Sequence, residues 1–287
     1  MSKTSLDKNW QDEIKKGKRF KFGKNWKNFL KKVNSKNINE SKARLSEWLG
    51  SDLSNLKFID VGSGSGLSSL SAVKLGSDVL SFDYDSDSVE CTQLLKKLKA
   101  SKNGNWEIMQ GSILDKTFLN NLGRFDIVYS WGVLHHTGSM WEAITNACNL
   151  VNENGKIFIS IYNEQDNGIS HKWLKVKKKY NYLFEPFKSL YLIFILLVIE
   201  KRSFISHLRN NSIKDYISYR LNYNKSRGMS YFSDVIDWIG GYPYEFAKGE
   251  KIISFIEARG FSLIKSNILS AANYGCNEFL FRKKSGS

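Results

Sequence analysis

The stretch KFIDVGSGSGLSSLSAVKLG, residues 57–76, decides the fold. KFIDV (57–61) reads as a short buried strand, and LSSLSAVKLG (67–76) places apolar residues at helical spacing before a closing glycine. Between them lies a turn of alternating Gly and Ser, which lets the backbone bend sharply and approach a ligand closely. A dinucleotide fingerprint would need its third glycine five positions after the first. That position is Leu67, so the pattern fails. The spacing is GxGxG, with Asp60 two residues before the first glycine, and a carboxylate there can pair with a cationic ligand. A flexible linker would not join a buried strand to an amphipathic helix.

Outward from this unit the same alternation continues. DVLSF (78–82), WEIMQG (106–111), FDIVYS (125–130) and KIFISIY (156–162) read as strands. INESKARLSEWLG (38–50), SVECTQLLKKLKA (88–100) and MWEAITNACNLV (140–151) read as helices. Such alternation predicts an α/β fold, a mostly parallel sheet covered on both faces. After Tyr162 the pattern breaks until the helix GEKIISFIEARG (249–260), the strand FSLIKS (261–266) and a last, antiparallel or edge strand NEFLFRK (277–283). Four segments are therefore expected: a basic extension (1–37), a ligand-binding core (38–163), a largely helical insertion over the strand ends (164–248), and a completion of the core (249–287).

The chain carries 43 Lys and Arg against 28 Asp and Glu, a net charge of +15. Residues 1–36 hold +9 and residues 172–228 hold +10, while 37–171 hold −5. Two basic segments flanking an acidic one suggest anionic substrate, RNA or a negative membrane surface, unless they merely solvate surface helices. The three cysteines, Cys91, Cys148 and Cys276, lack any CxxC pair, which excludes a disulfide scaffold and fits a reducing compartment. The basic N-terminus lacks an apolar core of signal-peptide length, and no apolar run has membrane-spanning length. The expected setting is cytoplasmic, with peripheral contact at the inner membrane surface as an option.

DVGSGSG (60–66), Asp83 at the end of the second strand, QGSILD (110–115) and FDIVYSWGVLHHTG (125–138) together resemble the class I S-adenosylmethionine-dependent methyltransferases. The segment containing VLHH is similar to the group that includes quinone-ring and other small-molecule methylases. The resemblance implies a Rossmann-like sheet with an antiparallel last strand, and S-adenosyl-L-methionine as cofactor. It also implies that Asp60, Gly62, Ser63, Gly64 and Gly66 form the cofactor turn. Asp83, rather than Asp85, would hold the ribose hydroxyls, with Tyr84 available to cover the adenine. Ser112 and Ile113 would meet the adenine, and Ser130 and Trp131 would face the sulfonium. Relatives often carry Asp where Ser112 stands, which leaves recognition of the adenine amino group open, Asp115 included.

His135 and His136 lie at the mouth of this expected site, where an imidazole suits a general base for a hydroxyl or thiol. The alternative is that one caps a helix and the other packs. Quinone O-methyltransferases with a Glu-x-x-Glu-His metal set resemble this segment, but the matching positions are Gly132, His135 and His136, so no metal is expected. The Asn/Asp-Pro-Pro-aromatic motif of base amino-group methylases is missing after the fourth strand, and no cysteine stands there for attack on cytosine. Nucleic acid is therefore disfavoured, and a small-molecule or lipid-linked acceptor is expected. An RNA-directed enzyme using the basic flanks, or a noncatalytic binding module, are the alternatives. Within the insertion, SLYLIFILLVI (189–199) is too short to span a bilayer; it reads as a buried lid helix or an interfacial one. RGMSYFSDVIDWIGGYPYEFA (227–247) has the composition of a pocket wall or of a rigid loop on the sheet edge.

Overall fold

The computed structural model describes residues 5–100, 105–210 and 231–286, together with Lys214 and Ser218. Seven strands form one sheet: β1 (Lys57–Val61), β2 (Asp78–Asp83), β3 (Trp106–Gln110), β4 (Phe125–Trp131), β5 (Val151–Tyr162), β6 (Phe261–Asn267) and β7 (Cys276–Lys283). Their order is β3-β2-β1-β4-β5-β7-β6, with β7 antiparallel to both of its neighbours and every other pairing parallel. This is the expected Rossmann-like sheet. The order reverses between β1 and β4, and open α/β sheets bind ligands in the crevice outside the strand carboxyl ends at such a point.

Period-two alternation sends side chains to two separate cores. Ile59, Val61, Ile157 and Ile159 face α7 (Met140–Asn149) and α11 (Gly249–Glu257). Phe58, Ile127, Tyr129 and Phe158 face α3 (Ser35–Leu49) and α4 (Leu67–Lys74). There Trp48 stacks on Phe158 with ring centroids 4.6 Å apart. α3 starts at Ser35, three residues before its apolar period begins, because Asn34 and Asn37 cap its first turn reciprocally. α5 (Ser86–Lys99) and α6 (Lys116–Asn120) complete the crossovers, and α6 is too short to show a period in the sequence.

The insertion is helical in its described part: α8 (Ile169–Tyr182), α9 (Phe187–Asn210) and α10 (Tyr231–Gly240). Its own small core comprises Tyr180, Ile195, Val235 and Ile239. The neck is pinned by a parallel bridge between Asn163 and Ala247, so the excursion begins and ends at the carboxyl end of β5. The basic extension holds two helices, α1 (Ser5–Lys15) and α2 (Gly23–Leu30), which pack over the same end of the sheet.

Candidate active site

A cavity of about 1390 Å³ opens at the carboxyl ends of β1, β2 and β4. One end is walled by the glycine turn. Gly62, at φ +82°, lies under Val133, whose side chain would be 2.3 Å from a Cβ placed there. Gly64, at φ +54°, lies under the indole of Trp26 on α2, 3.1 Å from such a Cβ. A side chain at either position would be strained by the positive φ, and at Gly62 it would also collide with Val133, so the turn presents bare backbone. Gly66 closes it as the residue before α4.

Asp60 is buried, takes a hydrogen bond from Ser69 Oγ, and is pushed up to about 7 by burial. Asp83 accepts from Gly64 N and Asp85 N, each at 2.9 Å, and burial raises it to about 6. Each of its oxygens keeps a lone pair for a further donor. Asp85 caps α5 through Asp87 N at 2.9 Å and also accepts Gly23 N at 2.7 Å, so it ties the extension to the site. Tyr84 carries the Arg19 guanidinium 5.1 Å from its ring centroid. Ser63, Ser112 and Ile113 stand on the wall; Ser112 Oγ accepts from Leu114 N at 3.2 Å. Asp115 instead caps α6 through Phe118 N and is not on the wall. Ser130 is fully buried, donates to Val61 O at 2.9 Å and does not reach the cavity. Trp131 does reach it, half-exposed, its Nε1 donating to Glu278 at 2.6 Å.

The two histidines part company. His135 is buried off the wall, its Nδ1 accepting from Tyr162 N at 3.2 Å, and burial holds it well below the usual imidazole range. His136 is on the wall, with Nδ1 2.6 Å from Pro243 O. A carbonyl only accepts, so Nδ1 carries the proton and Nε2 keeps a lone pair. Burial, with Lys177 and Arg19 nearby, pushes its pKa down to about 3. Beyond it the cavity widens between Tyr162, Trp173, Trp238 and Tyr274, with Ile195, Val198 and Ile199 of α9 as an apolar wall. Among the described residues, no three His, Cys, Asp or Glu side chains group as metal ligands.

Among the wall residues that the sequence did not single out are Trp10, Arg19, Phe20, Phe22 and Trp26, all from the N-terminal extension. Arg19 donates to His136 O at 2.8 Å and pairs with Glu13 at 2.7 Å, so one side chain joins the extension to the histidine turn. The signal was present in Arg19-Phe20-Lys21-Phe22, where aromatics interleave with the charges. Lys21 and Lys27 pair with Asp87, and Lys27 also with Glu90. Part of the extension's positive charge, expected to meet a partner, is thus matched by the chain's own acidic turn.

The bare glycine backbone, the open lone pairs of Asp83 and a cavity large enough for a nucleoside with an amino-acid tail fit S-adenosylmethionine. Comparison with known proteins agrees. The methyltransferase-domain family matches residues 52–215, more than half of the chain. The ubiquinone biosynthesis O-methyltransferase of Colwellia psychrerythraea is 31% identical over 110 residues, 38% of this chain and 43% of that protein. The chain thus spans under half the length of this curated relative. Magnesium protoporphyrin IX methyltransferase from Synechocystis PCC 6803, solved with bound S-adenosylhomocysteine, superposes with a TM-score of 0.50 at 14% identity over 87% of this chain and 83% of that one. The cyclase SpnF superposes with a TM-score of 0.54 at 10% identity, over 86% and 81%. At these identities the two structures speak for the fold. The chain belongs to the methyltransferase-domain family, within the class I S-adenosylmethionine-dependent superfamily.

Proposed function

We propose that this chain transfers a methyl group to a small, largely apolar or lipid-linked acceptor. The observation that carries the reading is the continuity of one cavity, from the glycine turn and Asp83 to an aromatic chamber edged by His136. S-adenosylmethionine, when bound, supplies an electrophilic methyl group on a sulfonium. The residues of the chain do the rest by placement. Asp83 would accept from the ribose hydroxyls, while Gly62 and Gly64 let the backbone close on the cofactor's amino-acid end. Asp60, Tyr84, Ser112, Ile113 and Trp131 complete that wall.

His136 is the group we assign to the acceptor. An imidazole held near 3 is a weak base but a good neutral hydrogen-bond acceptor, so its Nε2 orients a hydroxyl, amine or thiol toward the methyl group. The aromatic and aliphatic walls exclude water, which strengthens that single polar contact. His135, off the wall, keeps the turn packed. The RNA alternative loses support because the extension closes over the cofactor end rather than lining an open basic groove. The proposed setting is cytoplasmic.

The test is label transfer from methyl-labelled S-adenosylmethionine into total metabolite, lipid and RNA fractions. Label in the small-molecule or lipid fraction is expected; label confined to RNA would overturn the reading. His136→Ala should lower the turnover number by about 100-fold through lost positioning of the acceptor, with little change in cofactor affinity.

A further inference from the structure

We propose that the outward apolar face of α9, with the lysines beside it, docks on an anionic lipid bilayer. Leu190, Ile193, Phe194 and Leu197 are 60%, 53%, 59% and 64% exposed. Their spacing of three and four puts them in one stripe along the helix. Phe184 and Phe187, 69% and 53% exposed, extend the patch past its N-terminal end. A contiguous apolar stripe of this kind on a water-facing surface marks a binding face.

The opposite side of the same helix is occupied. Ile195, Val198 and Ile199 face the cavity, so the nearly unbroken apolar run from Leu190 to Ile199 divides into an inward and an outward half. The outward half has no counterpart among the described residues that would bury it.

Charge selects the occupant. On α8, Lys172, Lys175, Lys178 and Lys179 are exposed, and Lys201 is exposed on α9. Lys179 Nζ lies 5.1 Å from the Tyr191 ring centroid, and Lys188 Nζ lies 4.6 Å from that of Tyr180, so the lysine row meets the flank of α9. Glu185 and Glu200 are the acidic residues over 169–205. A second copy of the chain would bring two such lysine rows together and repel. Among the described residues no helix is long and apolar enough to cross a membrane. A bilayer surface answers both features, taking the stripe into the acyl boundary and setting anionic headgroups against the lysines. Docked this way, α9 is the element among the described residues that separates the lipid from the chamber beyond His136, and an acceptor with a lipid tail has one helix diameter, about 10 Å, to traverse. That last consequence rests on the proposed acceptor class; the docking itself does not.

Vesicle flotation of the full chain tests it, with phosphatidylcholine alone and with phosphatidylcholine mixed with phosphatidylglycerol. The chain should float with the mixed vesicles, remain below with phosphatidylcholine, and be released by high salt. A variant with Leu190→Glu, Phe194→Glu and Leu197→Glu should lose at least about tenfold in vesicle affinity, and so should one with Lys175→Glu, Lys178→Glu and Lys179→Glu. Unchanged melting temperature and S-adenosylhomocysteine affinity would show that both variants are folded. Failure of the wild type to float, equal flotation with both lipids, or flotation of either variant like the wild type would overturn the proposal. So would light scattering that finds a dimer in the wild type and a monomer in the stripe variant. Flotation without any methyl transfer would sink the functional reading and leave the docking surface standing.

Discussion

Asp83 accepts two backbone N–H groups yet sits deep enough for burial to raise it to about 6. Only its ionised form can accept from both hydroxyls of a diol. S-adenosylhomocysteine affinity should therefore fall as the pH drops through about 6, measured by isothermal titration, and Asp83→Asn should flatten that dependence. Asp83→Ala should weaken binding by about 1–3 kcal/mol, the cost of leaving buried hydrogen-bond donors without their partner. His136 shows how far one residue's chemistry depends on its surroundings. Two adjacent histidines before a helix look equivalent in the sequence, and Pro243 O, over a hundred residues away, distinguishes them by fixing the tautomer of one. Ser130 makes the same point. Its place near the carboxyl end of β4 was legible, but its hydroxyl donates to Val61 O because the strand pleat sends it inward.

At the scale of elements, α2 and α8 carry the contacts that periodicity could not show. α2 rests Trp26 on Gly64, so the extension forms part of the cavity wall beside the glycine turn. Trp26→Ala should leave the fold intact and speed S-adenosylhomocysteine release, read by stopped-flow fluorescence or as a Kd raised about tenfold. On α8, Lys177 is fully buried, donates to Trp238 O, and lies 4.1 Å from the Trp238 ring centroid and 4.6 Å from that of Tyr244. Burial lowers its pKa from 10.5 to about 7. Between these values the unfolded chain binds the proton that the folded chain releases, so stability rises with pH over that window. From pH 8 to about 9, above the raised range of Asp60 and Asp85 and below the ordinary range of the buried thiols, this lysine should dominate the slope. Denaturant midpoints measured across that interval should climb for the wild type and stay level for Lys177→Met.

The whole molecule is a sheet with two helical layers and a pair of covers meeting over its carboxyl edge. Its central seam is the Trp48–Phe158 stack between α3 and β5, and Phe158→Ala should cost about 3–5 kcal/mol in denaturant unfolding. Much of this plan was legible along the chain. Strand, glycine turn and helix at 57–76, the repeat of that unit, and the acidic end of β2 are local patterns, because a parallel sheet buried on both faces demands short apolar runs and tight turns wherever it occurs. The sequence alone thus determined the sheet, the glycine turn with Asp83 beside it at the strand ends, and the place after β5 of the segment that interrupts the alternation. What only the tertiary structure decided were contacts between distant segments: Trp26 over Gly64, Arg19 on the histidine turn, Asp87 and Glu90 matching Lys27, and α9 turning one apolar face to the cavity and the other to solvent. The physical reason is that hydrophobic burial is non-directional and ion pairing needs only proximity, so periodicity marks which face is buried but not which distant residue will meet it.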